Sequence, residues 1–157
     1  MNDQPTMFCT FGAADRLFGI PLADIKEITD DVTCTRIPHA PFGVRGYINI
    51  RGQIILGLDL KELLELPQAN GEVARRLVIF KPSIGQAFGM FVDHVGEIVE
   101  VSSSDLDAGE SNRLGLASHG RSGLIERVVR LPEHLLVVLN PRKFLPIVEI
   151  ESQSTNT

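Results

Sequence analysis

Apolar residues in this chain come in short alternating or continuous runs, broken about every ten residues by Gly, Pro, Asn or Asp. That is the punctuation of β-strands and turns. The runs predict strands over 7–12, 16–22, 46–50, 53–59, 76–81, 87–92, 96–101, 123–129 and 134–139. Two stretches carry helical spacing instead. Leu60, Leu63 and Leu64 fall at i, i+3 and i+4, predicting a short helix over 60–66. Residues 142–145 follow Pro141, a residue suited to the first turn of a helix. The long helices that alternating βαβ units require are absent from the pattern, so it points to barrels or a sandwich.

The pattern also repeats. Residues 18–28 lie on 88–98 without a gap: Phe18-Gly19-Ile20-Pro21-Leu22 answers Phe88-Gly89-Met90-Phe91-Val92, and both segments close on Glu-Ile, at Glu27-Ile28 and Glu97-Ile98. A second echo sets 54–64 against 135–145, an apolar strand running into a short helix in each case. Two similar small β-barrels in one chain account for both echoes. The polar segment 67–72, with Pro67 and Asn70-Gly71, is the natural boundary between the halves. Residues 102–121 read as an irregular, mobile stretch inside the second half, and the tail from 149 onward has no apolar face to dock.

Size and composition narrow the function. A chain of 157 residues can bury roughly 70% of its unfolded surface and needs no staple. At 43% apolar and 22% charged it is not intrinsically disordered. Fifteen basic against 20 acidic residues give −5, and Tyr47 is the only Tyr or Trp, so a nucleic-acid partner, which demands a basic groove with stacking rings, is disfavoured. A small β-barrel binding single strands is therefore kept only as a rival. Asp3 and Gln4 stand where a secretion leader has its basic start and apolar core, and no apolar run approaches the ~20 residues of a membrane span. Cys9 and Cys34 lack C-x-x-C spacing, so a cytoplasmic protein with reduced, partly buried thiols is expected.

No catalytic, metal or cofactor template fits. Ser122 in Gly120-Arg121-Ser122-Gly123-Leu124 lacks the second glycine of a nucleophile elbow, leaving a hydrolase built on Ser122 and His119 as a weak enzyme rival. Asp105-Leu106-Asp107-Ala108-Gly109 misplaces the glycine of a calcium loop and reads as a polar turn. Of His39, His94, His119 and His134, only His94 has a possible ligand at helical spacing, Glu97, and the strand predicted over 96–101 is not helical. What remains is the segment Val44-Arg45-Gly46-Tyr47-Ile48-Asn49-Ile50-Arg51-Gly52-Gln53-Ile54-Ile55-Leu56-Gly57-Leu58-Asp59-Leu60. It predicts a hairpin turning at 49–52, with Gly52 able to take positive φ and Arg51 held out beside the turn. Such an arginine is either a recognition group or a solvated loop side chain.

Taken together, Phe18-Gly19-Ile20, Ile25-Lys26-Glu27-Ile28, Arg36-Ile37-Pro38, Asn49-Ile50-Arg51-Gly52 with Leu58-Asp59-Leu60, and Gly89-Met90-Phe91-Val92-Asp93-His94-Val95 resemble the CheW coupling proteins of bacterial chemotaxis, over roughly 10–145. The resemblance implies an all-β fold of two five-stranded Src-homology-3-like barrels with short helices, within a single CheW-like domain over 1–157. Its subdomains would span about 16–66 and 75–139, with segments 7–15 and 140–148 packing on the barrels. It implies a non-enzymatic adaptor, without cofactor, metal or catalytic residues, joining the cytoplasmic tip of chemoreceptors to the regulatory domain of a CheA-type histidine kinase. Such a protein is cytoplasmic and is recruited to membrane receptor arrays without inserting itself. Carried over by position, a receptor-facing groove between the barrels would include Ile25, Glu27, Gly46, Asn49, Arg51 and Leu77, with Glu27 and Arg51 as its charged pair. The alternative for that pair is a surface ion pair worth ~0–1 kcal/mol. The kinase-facing residues would be Val95, Gly96 and Glu97. Leu56-Gly57, where relatives place a proline, and Asn140-Pro141 are departures, so a pilus-motility or other chemosensory pathway fits as well as a flagellar one.

Overall fold

The computed structural model describes residues 4–13, 15–30, 32–66, 76–109, 122–146 and 148. Among them, β1 (Thr6–Ala13), β2 (Arg16–Pro21), β9 (His94–Val101), β10 (Ile125–Arg130) and β11 (Leu135–Leu139) make a first sheet in the order β10-β11-β2-β1-β9. A second sheet runs β3-β7-β8-β6-β5-β4, from β3 (Ile25–Thr29), β4 (Cys34–Arg36), β5 (Val44–Ile50), β6 (Gln53–Asp59), β7 (Arg76–Phe80) and β8 (Phe88–Val92). Helices are short: α1 (Leu60–Leu63), α2 (Ser103–Asp107) and a few 3-10 turns. The fold is all-β and SH3-like.

The echo in the sequence becomes a correspondence of topology. Read from the other end, the second sheet is β5-β6-β8-β7-β3, which matches β10-β11-β2-β1-β9 strand for strand, with β4 added at one edge. In each sheet the strand bearing Phe-Gly pairs in parallel with the strand that runs into a helix, and the register is the same: Phe18 lies opposite Val137, and Phe88 opposite Leu56. Each sheet, however, draws on both repeats. The first repeat lends β1 and β2 to the sheet of β9, β10 and β11, while β7 and β8 of the second complete the sheet of β3, β5 and β6. The strands that correspond run from β1 to β6 and from β7 to β11, so the first set begins at Thr6, before the expected limit of 16. Hydrogen bonding regroups them, because the chain changes sheet at the 3-10 turn Leu22–Asp24 and again at Asp93.

Both faces of each sheet are apolar, which explains why runs such as Leu77–Phe80 and Leu135–Leu139 show no polar alternation. Val78, Phe80, Phe88 and Met90 from the second sheet meet Cys9, Phe11, Phe18 and Ile20 from the first in the largest buried cluster, which therefore lies between the sheets. Phe144 is fully buried there, edge-on to Phe80 and Phe88 at 6.1 and 6.4 Å between centroids. The alternate residues turn the other way. Leu77, Ile79 and Phe91 join Ile48 and Ile55 in a cluster of the second sheet, and Leu136 and Val138 join Phe8, Val101 and Val129 in its counterpart.

Charged side chains fix α1. Asp59 caps its first turn, accepting the Glu62 N–H at 3.2 Å, and also pairs with Arg45, whose guanidinium lies 3.9 Å from the centre of the Phe91 ring. Glu62 accepts the Gly43 N–H at 3.1 Å, and buried Lys61 meets Asp93 at 2.9 Å.

Several expectations need correction. The nine anticipated strands all form, but β3 and β4 were not anticipated. The polar turn expected at 105–109 is in large part α2, whose N-cap Ser102 accepts the Asp105 N–H at 3.2 Å. The remainder of the irregular stretch from 110 to 121, His119 of the enzyme rival, the 67–72 boundary and the tail from 149 lie outside the described residues.

Candidate functional site

The β5–β6 hairpin closes with Ile50 opposite Gln53, leaving Arg51-Gly52 as a two-residue turn. Both have positive φ, 49° and 85°, the pairing a type I′ turn requires. Glycine meets that demand without cost, whereas arginine does not, so Arg51 is held at a strained position. Asn49 buttresses the turn: its Oδ1 accepts the Gly52 N–H at 3.0 Å. Arg51 reaches from there to Glu27 on β3, forming an ion pair whose side chains are 70% and 30% exposed.

Glu27 owes its direction to a β-bulge. The β3–β7 register shifts between Ile25 and Glu27, so the extra residue Lys26 turns Glu27 to lie opposite Ile79. Lys26, Glu27, Ile50, Arg51, Gln53, Ile55 and Ile79 then line a cleft of about 170 Å³. Its floor is isoleucine and its rim is charged. An arginine donor set beside a desolvated apolar floor is suited to seat one apolar side chain of a partner and to orient a carboxylate or amide next to it.

The six residues expected to share a groove separate into two groups. Glu27, Asn49 and Arg51 are accessible and close together. Leu77 is fully buried in the cluster beneath the cleft, and Ile25 is buried between the sheets. Gly46 is also buried: a Cβ there would stand 2.1 Å from the Thr35 carbonyl oxygen, so its role is to admit β4 against β5. Nor is the cleft a seam between barrels. Every lining residue belongs to the second sheet, and the space between the sheets is filled by the largest core.

Val95, Gly96 and Glu97 lie on β9, the edge strand of the first sheet, with Gly96 and Glu97 exposed. A bulge recurs here, since Cys9 pairs with Ile98 but Phe11 pairs with Val95. The Thr10 hydroxyl fills it, donating to the Glu97 carbonyl at 2.6 Å. Sequence reasoning missed the isoleucine floor at Ile55 and Ile79, and the exposed apolar side chains Ile54 and Ile98 beside the two sites. Spacing within one strand could have signalled only Ile54, whose neighbours at alternate positions, Leu56 and Leu58, sink progressively into the core. Among the described residues no cluster of His, Cys, Asp and Glu could hold a metal ion. Burial pushes the thiols of Cys9 and Cys34 up, with Arg45 and Arg36 pulling Cys34 back, and both are unpaired cysteines.

These features define a class: a doubled SH3-like β-domain with a charged, apolar-floored cleft at the hairpin end of one sheet. The family model of the CheW-like domain matches residues 7–149, and the chain belongs to that family. Chemotaxis protein CheW of Treponema pallidum is 26% identical over 155 residues, 96% of this chain and 88% of that protein. Chemotaxis protein CheW of Helicobacter pylori is 29% identical over 108 residues, 68% of this chain, and the match spans only 64% of its length. Among solved structures, the scaffolding protein TtCheW of Thermoanaerobacter tengcongensis superposes with a TM-score of 0.73 at 25% identity, covering 86% of this chain and 88% of that one.

Proposed function

We propose that this protein is a non-enzymatic chemotaxis adaptor that couples the cytoplasmic tip of chemoreceptors to the regulatory domain of a CheA-type histidine kinase. The observation that carries the reading is the Glu27–Arg51 pair across an isoleucine-floored cleft, in a chain of the CheW-like family. Glu27 pre-orients the guanidinium in the unbound protein. Because the pair is largely hydrated it is weak, so a receptor side chain can compete for Arg51 without a large penalty. The exposed bulge of β9, with Val95, Gly96 and Glu97, is the proposed kinase-facing surface. Two separate, modest contacts suffice in an array, where linkage raises effective concentration. Among the described residues no helix is long and apolar enough to cross a membrane, which is consistent with recruitment through the receptor.

The test is titration of the full chain with a receptor-tip fragment and, separately, a kinase regulatory fragment. Arg51→Glu is expected to weaken receptor-tip binding by about tenfold or more, leaving kinase binding unchanged. Its melting temperature should stay within about 2 °C of wild type. Absence of binding to both fragments at high micromolar concentration would end the reading, and collapse of the fold in Arg51→Glu would make Arg51 structural.

A further inference from the structure

Two ion pairs stand at closely similar places in the two repeats, their acidic partners one position apart in the alignment of 18–28 with 88–98. Lys61, in the helix that follows β6, meets Asp93 at the β8–β9 crossover, 2.9 Å away. Arg142, in the 3-10 turn Pro141–Lys143 that follows β11, meets Asp24 at the β2–β3 crossover, 3.5 Å away. The alignment that lays β6 on β11 also lays Lys61 on Arg142. The helical turn ending one repeat therefore grips the point at which the other repeat leaves one sheet for the other.

The two grips are unequal. The side chains of Lys61 and Asp93 are 5% and 19% exposed, whereas those of Arg142 and Asp24 are 55% and 12% exposed. Opening the first would strand a buried ammonium, a severe penalty, while opening the second returns a half-hydrated guanidinium to water. Asp24 is also tied to β7 through its carbonyl, which accepts the Lys81 N–H at 3.0 Å, and it directly precedes β3. Whatever loosens Asp24 loosens the seat of the strand that carries Glu27.

We propose that Arg142 is a positioning residue: its grip on Asp24 holds β3 in place against β7, and so sets how Glu27 meets Arg51. The effect on binding rests on the docking reading above, but the effect on β3 does not.

Hydrogen exchange of the full chain separates the two. Arg142→Gln is expected to speed exchange about fivefold at the amides of 25–29 and of Lys81, with 94–101 unchanged, and Arg142→Lys to restore most of the protection. Lys61→Gln, by contrast, should lower the melting temperature and speed exchange throughout. Wild-type exchange at 25–29 in Arg142→Gln, or equal acceleration in both sheets, would overturn the proposal. In titrations with the receptor-tip fragment, Arg142→Gln should bind about threefold more weakly. Unchanged affinity despite a loosened β3 would refute the link to Glu27. Failure of the wild-type protein to bind would refute the docking reading, while the exchange result would still decide the role of Arg142.

Discussion

The strands β3 and β9 hold the same place in the two repeats, carry Glu27 and Glu97 at matching positions, and bulge at matching positions, yet they meet different neighbours. Beside β3 a two-residue turn places Arg51 over the edge. The corresponding β10–β11 hairpin turns through Leu131-Pro132-Glu133-His134, with the Leu131 N–H donating to the His134 carbonyl at 2.8 Å, and has no arginine within the turn, Arg130 standing before it at the end of β10. Across from Glu27 lies apolar Ile79, which floors a cleft. Across from Glu97 lies Thr10, whose hydroxyl closes the bulge instead. The two sheet edges share a topology, and they differ in chemistry through the hairpin tip and the residue beneath the bulge.

The largest expected effect tests whether the two edges rest on equivalent cores. Leu77 and Phe8 lie at matching positions below β3 and β9, 0% and 2% exposed. Leu77→Ala and Phe8→Ala should each lower the free energy of unfolding by about 3 kcal/mol or more, read from urea titration. An unchanged midpoint for Leu77→Ala together with altered partner binding would return Leu77 to the docking face.

A smaller effect sharpens the contrast at the turn. Asparagine tolerates positive φ, so Arg51→Asn is expected to raise stability by about 0.5 kcal/mol even as receptor binding falls. Glu97→Asn has no such strain to relieve and should leave the unfolding midpoint in place. If both variants behave alike, the strain at Arg51 is not what distinguishes the edges.

The smallest effect compares the thiols, Cys9 in the first sheet and Cys34 in the second. Both are raised above their ordinary value of 9.0 by burial. A raised value means that the folded state holds the proton more tightly, so this contribution is complete below pH 9.0 and is lost as pH rises through the raised values. Cys9→Ala with Cys34→Ala should flatten the decline in stability as pH rises above 9.0. An unaltered slope would remove the thiols from that account.

Much of the frame was legible because alternation and turn residues are local signals. The hairpin turn at Arg51-Gly52 and the matching strands of the two repeats could be read directly. What hid β3 was its own bulge: with Lys26 extra, Ile25 and Ile28 stand three apart and lose the two-residue period of a strand. β4 is only three residues long, too short to carry a pattern. The site was legible at its rim and not at its floor. Glu27 and Arg51 sit in recognisable motifs, but Ile79 joins Ile55 only once β7 and β8 are laid between β3 and β6, a non-local pairing. The same pairing turns Leu77 inward, which its position in an apolar run could not reveal.

The exchange of strands between repeats has a consequence for synthesis on the ribosome. The second sheet ends with β8 and has all its members once Val92 has emerged, but β2 must wait for β11, more than a hundred residues downstream, before its parallel neighbour exists. During that interval the β1–β2 ribbon has an open flank in the nascent chain, the state in which aggregation competes with folding and chaperones act.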